Sequence, residues 1–388
     1  MKFKSLLVLA PAFPDKLNRD SEGVFVKEQV NYLKKYFSEI HVIAPNTIWR
    51  KHLKKKNYED YNWDNVKVHY PIIANLPVPY LPDSCKGLWL DRQTKKILEF
   101  LSVENISFDL IHAHYTWYPG AVAVKIKEKL NVPVVVTEPT SITLNKALEK
   151  NDPYFIKTWS QCDAVIRVNN KDVPKIREFN KNTVGIPYGY DDEIFCPMDK
   201  EACRQKESLP GDMKIVLSVG SLDKVKGQKY LIEAMREIVN KRKDVLCLIV
   251  GSGTLKNQLQ KMITEFELEN FVMLKGFVFH ERLPTLMNSC DFFVLPSLSE
   301  GNPTVMFEAL GCGLPFLGTK VGGIPEVIIS EDYGYIFDSA DSGRLSQAMH
   351  LALNREWNKK AIIDYAKKFS KKNIAEQIIS VYESIEQK

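Results

Sequence analysis

The chain reads as an α/β protein made of two doubly wound, Rossmann-like domains facing a central cleft. Three observations predict this. Short apolar runs alternate with segments of helical period along all 388 residues, the mark of βαβ units and parallel sheets covered on both faces. A stretch dense in Pro, Gly and Asp, Pro187-Tyr-Gly-Tyr-Asp-Asp-Glu-Ile-Phe-Cys-Pro197, punctuates the pattern instead of continuing it. A second βα series begins after that interruption.

In the first half, Ser5–Ala10 reads as a buried strand, Val24–Phe37 as an amphipathic helix and Glu39–Ala44 as the next strand. Leu110–Ala113, Val134–Thr137, Ala164–Val168 and Val184–Pro187 follow as strands, separated by helical stretches such as Gly120–Leu130. In the second half, Lys214–Val219 and Val245–Val250 are strands, followed by the helices Gly227–Asn240 and Leu255–Phe266 respectively. Phe271–Leu274, Phe292–Leu295, Pro315–Gly318 and Gly334–Phe337 complete the strands, and the tail from Arg344 is helical by period. The domains are expected at 1–190 and 191–370, with a helix at 371–388 free to pack back on the first. Doubly wound domains bind ligands beyond the carboxyl ends of their strands, so the cleft is the expected site.

Composition narrows the function classes. Hydrophobic residues at 45% and charged residues at 26% are the balance of a soluble globular protein. A net charge of +5, from 53 basic against 48 acidic residues, makes no case for nucleic acid. The cluster Arg50–Lys56 (RKHLKKK) is either a solvated face or a patch for anionic lipid, where each cation contributes about 1 kcal/mol. The stretch from Tyr80 to Trp89 is open to the same two readings, a membrane rest or a surface loop. The seven cysteines (Cys85, Cys162, Cys196, Cys203, Cys247, Cys290, Cys312) form no C-x-x-C pair and no Cys/His metal spacing. They read as reduced thiols of a cytoplasmic protein. The opening MKFKSLLVLAPAFP is too short in its apolar stretch for a signal peptide, and no run is long enough to cross a bilayer. A cytoplasmic protein, in peripheral contact with a membrane if the basic patch acts, is the expectation.

The densest chemical signal is Leu295-Pro-Ser-Leu-Ser-Glu-Gly-Asn-Pro-Thr-Val-Met-Phe-Glu-Ala-Leu-Gly-Cys-Gly-Leu-Pro315. A strand ends at Leu295, a polar loop follows, and a helix begins around Pro303, with Asn302 suited to cap it. The N–H groups of Gly301, Asn302 and Thr304 lie around the helix start, where a phosphate or sugar hydroxyl can be held. Pro303 has no N–H to give. Glu300 precedes the helix and Glu308 lies about one turn into it. A carboxylate there can accept two hydrogen bonds from a vicinal diol such as ribose; alternatively both glutamates merely favour the amino end of the helix dipole.

The run Glu300-Gly-Asn-Pro-Thr-Val-Met-Phe-Glu308 resembles the E-x₇-E motif of retaining glycosyltransferases of family four. Val219-Gly-Ser-Leu-Asp-Lys-Val-Lys-Gly227 resembles their phosphate-binding segment, Val250-Gly-Ser-Gly253 their second glycine turn, and Val321-Gly-Gly-Ile-Pro-Glu326 the segment after the E-x₇-E helix. Gly189–Pro197 is similar to their linker. Ala12-Phe-Pro14, Glu22-Gly-Val-Phe-Val-Lys-Glu-Gln29 and His112-Ala-His114 are similar to landmarks of their first domain. The resemblance implies a GT-B fold, with the nucleotide-sugar donor in the C-terminal domain and the acceptor, a glycan or lipid-linked molecule, mainly against the N-terminal one. It implies that Glu308 holds the ribose, that Glu300 lies near the sugar and diphosphate, and that Lys226 neutralises the departing nucleoside diphosphate. No cofactor and no metal are expected, because cations and helix N–H groups can stabilise the leaving phosphate. Work in cell-surface polysaccharide or glycoconjugate synthesis follows as the expected setting.

Two departures from the family pattern stand out. Ser221 occupies a position where relatives usually carry arginine, and Lys224 is near enough in sequence to compensate or simply to face water. After Val134–Thr137 comes Glu138-Pro139, where many relatives place a histidine near the reacting sugar. Glu138 or His114 is the candidate to take over contacts there. His112 and His114 share one face of a strand end by period two; the first is read equally as a structural histidine, the second as a ligand contact. Gly23 either lets a loop approach the diphosphate or serves an ordinary turn. Gly251 and Gly253 alone do not make a dinucleotide fingerprint, which argues against a nicotinamide oxidoreductase. Two other readings stay open: a sugar-nucleotide epimerase, and a non-catalytic subunit that keeps only the nucleotide pocket.

Overall fold

The computed structural model describes residues 2–17, 23–47, 58–73 and 83–386. The basic cluster Arg50–Lys56 lies outside them, as do Glu22 and Tyr80. The chain divides into two compact units, one formed by Met1–Pro187 with Ile374–Lys388 and the other by Tyr188–Asn373.

The first unit is built on strands β1 (Ser5–Leu9), β2 (Glu39–Ile43), β4 (Tyr61–Trp63), β5 (Val66–His69), β7 (Leu110–His114), β8 (Val134–Glu138), β9 (Ala164–Arg167) and β10 (Thr183–Gly185). Their order across the sheet is β10-β9-β8-β7-β1-β2-β5-β4. All neighbours are parallel except β4 and β5. The central strands are apolar on both faces because helices cover both, and Leu6, Leu7 and Val8 are fully buried. A separate two-stranded pair joins β3 (Asn46–Thr47) to β6 (Ile72–Ile73). The helix Lys371–Glu386 contributes Ile374, Ile378, Tyr382 and Ile385 to the same core as β1, β2 and β5.

The second unit holds a six-stranded, wholly parallel sheet of β11 (Lys214–Val219), β12 (Val245–Val250), β13 (Val272–Gly276), β14 (Phe292–Leu295), β15 (Phe316–Thr319) and β16 (Gly334–Phe337). The order is β13-β12-β11-β14-β15-β16. The chain therefore winds outward in one direction from β11 and in the other from β14. That reversal opens a crevice at the carboxyl ends of these two strands, where doubly wound sheets bind ligands. The loops bearing Lys226 and Glu300 leave β11 and β14 at this point.

Strand expectations from the sequence fall within two residues of the observed limits. The expected helix Val24–Phe37 is shorter, α-helical over Val24–Leu33 and tightened to a 3₁₀ turn over Lys34–Tyr36. Among the described residues no helix is long and apolar enough to cross a membrane.

Candidate active site

The first part of the site lies in the second unit. After β11 the chain turns through Lys224–Lys226, a 3₁₀ turn whose first N–H groups are capped by Asp223, with Val225 N donating to its Oδ1 at 3.0 Å. Ser221 Oγ donates to the same carboxylate at 2.6 Å, so this hydroxyl braces the turn. Lys224 is exposed. Lys226 is the cation turned inward: its Nζ donates to Glu300 Oε1 at 2.7 Å. Ser297 Oγ donates to that oxygen at 2.6 Å. Leu298 N donates to Val225 O at 2.7 Å and Gly323 N to Gly301 O at 2.8 Å, tying three loops together around Glu300.

The helix after this loop spans Thr304–Gly311. Its capping position is Pro303, extended at φ −71° and ψ 124°, and no side chain caps it. Asn302 is thus not the cap expected from the sequence. Proline fixes φ but leaves ψ free, so it stands one step outside the helix and moves Asn302 further out, into a buried position. Of the first N–H groups of the helix, that of Met306 donates to Pro303 O at 3.2 Å.

Glu308 sits one turn in, only 4% exposed. Its Oε1 lies 3.1 Å from His280 Nε2, while Oε2 is buried without a hydrogen-bond partner among the described residues. A buried acceptor left open is costly, and a ligand hydroxyl reaching it removes the cost. His280 was not singled out in the sequence. It opens the turn His280–Arg282 beyond β13, and its ring lies 5.1 Å from that of Phe195. The available signal was its position just past a strand's carboxyl end.

Gly251 has φ +144°, and a Cβ there would lie 1.9 Å from Gly220 O. Its N–H donates to Gly276 O at 2.8 Å. This glycine lets the ends of β11, β12 and β13 close on one another, which explains the residue without a donor contact.

The remaining candidates belong to the first unit. Gly23 heads the helix Val24–Leu33 at φ +80°, where a Cβ would meet Ala12 O at 2.4 Å, so the helix start and the Ala12–Phe13 loop are in direct contact. His112 is fully buried and engaged at both nitrogens, Nδ1 with Tyr382 Oη at 2.6 Å and Nε2 with Thr137 Oγ1 at 2.7 Å. His114 stacks on it with ring centroids 4.6 Å apart, and His114 Nδ1 is buried with no hydrogen-bond partner among the described residues. Burial holds both imidazoles below their ordinary range, His112 at about 3, so both are neutral.

Glu138 is surrounded by hydrogen-bond donors of its own chain. Its Oε1 accepts from Thr140 N and Thr140 Oγ1, each at 3.0 Å, and from Thr143 Oγ1 at 3.3 Å. Oε2 accepts from Thr116 N at 3.1 Å. The carboxylate is 1% exposed and occupied in joining the loop after β8 to the loop after β7. Arg167 reinforces that loop: fully buried, it donates to Glu138 O and, at 2.8 Å, to Asp172 Oδ2. Pro139 is buried between these anchors.

Among the described residues no group of three or more His, Cys, Asp and Glu side chains could hold a metal ion. All seven cysteines are free, and burial pushes the thiols of Cys162 and Cys290 up to about 12, which removes them as nucleophiles.

Comparison with known proteins bears on the family and the fold. The family model described as Glycosyltransferase Family 4 matches residues 23–193, and that described as Glycosyl transferases group 1 matches residues 199–369. A Bacillus subtilis glycosyltransferase named for teichuronic acid biosynthesis is 28% identical over 334 residues, covering 82% of each chain. The D-inositol 3-phosphate glycosyltransferase of Corynebacterium jeikeium is 27% identical over 320 residues, covering 75% of this chain and 76% of that one. Among solved structures, Anabaena HepE in complex with UDP superposes with a TM-score of 0.75 at 19% identity, over 98% of this chain and 100% of that one. The fold is GT-B, two Rossmann-like domains with parallel sheets. The two family models together span nearly the whole of both units, and the chain belongs to glycosyltransferase family 4.

Proposed function

We propose that this glycosyltransferase moves a sugar from a nucleotide-sugar donor to a glycan or lipid-linked acceptor, with retained anomeric configuration and without a metal, in cell-surface polysaccharide or glycoconjugate synthesis. The observation that carries the donor reading is the Glu308 carboxylate, one oxygen anchored by His280 and the other buried and open. A ribose hydroxyl supplies the donor that oxygen lacks. HepE bound to UDP and the relative named for teichuronic acid biosynthesis support the donor class and the setting.

In this reading the backbone N–H groups of Gly301, Asn302 and Thr304 receive the diphosphate and sugar hydroxyls. Lys226 lies ready at 2.7 Å from Glu300 and neutralises charge as the anomeric carbon–oxygen bond breaks and the nucleoside diphosphate departs. Glu300, Ser221, Lys224 and the close turns at Gly23 and Gly251 line or shape the donor site. His114, neutral and with an open Nδ1, contacts the acceptor side.

Incubation with a panel of sugar nucleotides and acceptors, with and without a chelator, tests the reading. Product with the donor's anomeric configuration, insensitive to chelator, is expected. Donor consumed without any acceptor would indicate epimerisation instead, and tight nucleotide binding without turnover a binding subunit.

A further inference from the structure

The C-terminal helix places one polar group inside the first unit. Tyr382 is fully buried, and its hydroxyl lies 2.6 Å from His112 Nδ1, its single hydrogen bond among the described residues. The opposite ring nitrogen of His112 lies 2.7 Å from Thr137 Oγ1 on β8. One imidazole is therefore clamped between the last helix of the chain and the strand beside it.

Proton positions follow from comparing donors. The Tyr382 and Thr137 hydroxyls are both buried, with this ring as their one hydrogen-bond partner among the described residues. A neutral imidazole accepts from only one of them, and the phenol, the stronger acid, is the one that donates. Burial keeps the Tyr382 phenol well above its ordinary range, so its proton stays in place. Nδ1 of His112 must then accept. The ring is neutral, so its one proton sits on Nε2 and is donated to Thr137 Oγ1.

His114 has no comparable anchor. Among the described residues its Nδ1 lacks a hydrogen-bond partner, and its plane is set by stacking: His112 on one side at 4.6 Å and 23°, and the edge-on ring of Phe25 at 6.4 Å. Whatever fixes His112 fixes the surface against which His114 lies. We infer that Tyr382 is a positioning residue for the acceptor side of the site: it holds His112 in the Nε2–H tautomer and thereby sets how His114 presents its ring to substrate. The inference rests on the reading of His114 as a substrate contact.

Tyr382→Phe removes the hydroxyl and keeps the ring, which packs edge-on against Phe37 at 6.1 Å. Two readouts separate this inference from the functional reading. Nitrogen-15 NMR of histidine-labelled protein, recorded without substrate, should show His112 protonated at Nε2 in the unaltered chain and tautomer exchange in Y382F. Steady-state transfer should show kcat lowered about tenfold, the size expected of a small misplacement, with the KM for the sugar nucleotide unchanged. If Y382F does not fold, Thr137→Val, which leaves the Tyr382 contact in place, should keep the His112 proton on Nε2, and a shift of that proton to Nδ1 in T137V overturns the inference. An Nδ1–H tautomer in the unaltered protein overturns the inference, and so does a variant whose tautomer changes while kcat does not. Should the unaltered protein transfer no sugar, the functional reading fails, and the tautomer alone decides whether Tyr382 holds His112 as inferred.

Discussion

His280 Nε2 stands 3.1 Å from Glu308 Oε1, so one oxygen of a buried carboxylate is anchored while its twin is left open. The two residues come from opposite sides of the sheet's winding reversal, one beyond β13 and one in the helix after β14. Their pairing brings a loop from each side of the reversal to one carboxylate.

Glu308→Gln should separate binding from stability. It removes a charge-assisted acceptor contributing about 1.5–3 kcal/mol, so the Kd for a nucleoside diphosphate should rise roughly tenfold to a hundredfold. The melting temperature should hold or increase, because a half-satisfied buried carboxylate is itself costly. Calorimetric titration beside thermal unfolding checks both.

Lys226→Met should act on the chemical step. Loss of one preorganised charge at a developing anion typically costs about 2.7–4 kcal/mol, a fall in kcat of roughly a hundredfold to a thousandfold. Stability should change little, since a partly exposed pair contributes about 0–1 kcal/mol. A variant with unchanged kcat would exclude Lys226 from leaving-group stabilisation.

Glu138→Gln should damage the fold and spare the chemistry. All the groups that meet this carboxylate are N–H or O–H donors from Thr116, Thr140 and Thr143. A carboxamide would set its own N–H₂ against one of them, a loss of about 1–3 kcal/mol. Urea unfolding should show the loss, while kcat per folded molecule stays near that of the unaltered chain.

Asp172 makes the first unit acid-sensitive. Burial would raise its pKa, but hydrogen bonds from Lys175 and Ser141 and the Arg167 charge outweigh burial and hold it at about 2, against an ordinary 3.8. A carboxyl depressed on folding stabilises fully above the unfolded value and loses that contribution as pH falls through the folded one. The window is therefore about pH 4 down to about 2. Asp172→Asn should flatten stability across it. At neutral pH the variant should lose about 3–5 kcal/mol, because Arg167 is left a buried cation without its anion.

Much of this was legible in the sequence, and the reasons differ by element. β14 and the helix after it were readable because an unbroken apolar strand, a polar loop and a proline follow in register within one short stretch. The edge strand β4 and its neighbour β5 were not: they have three and four residues, and only Val66 and Val68 are fully buried, too short a pattern to show a period. Lys226 and Glu300 were named separately, but their pairing spans 74 residues and appears only once β11 and β14 are neighbours. His280 offered only its place just past a strand's end and Tyr382 no local signal, since each matters through a partner far along the chain. The hydrogen bonds of Glu138 were not legible because its neighbours Thr140 and Thr143 look like ordinary helix-start residues until their protons are followed.

The helix Lys371–Glu386 bears on how the protein is made. Residues 374–385 supply seven buried side chains to the core that also holds β1 and β2. During synthesis residues 1–187 leave the ribosome ahead of residues 374–385, which cover their apolar face, whereas Tyr188–Asn373 is complete as soon as it emerges. The earlier-translated unit is thus finished after the later one, and removing residues 374–385 would expose the core built on β1 and β2.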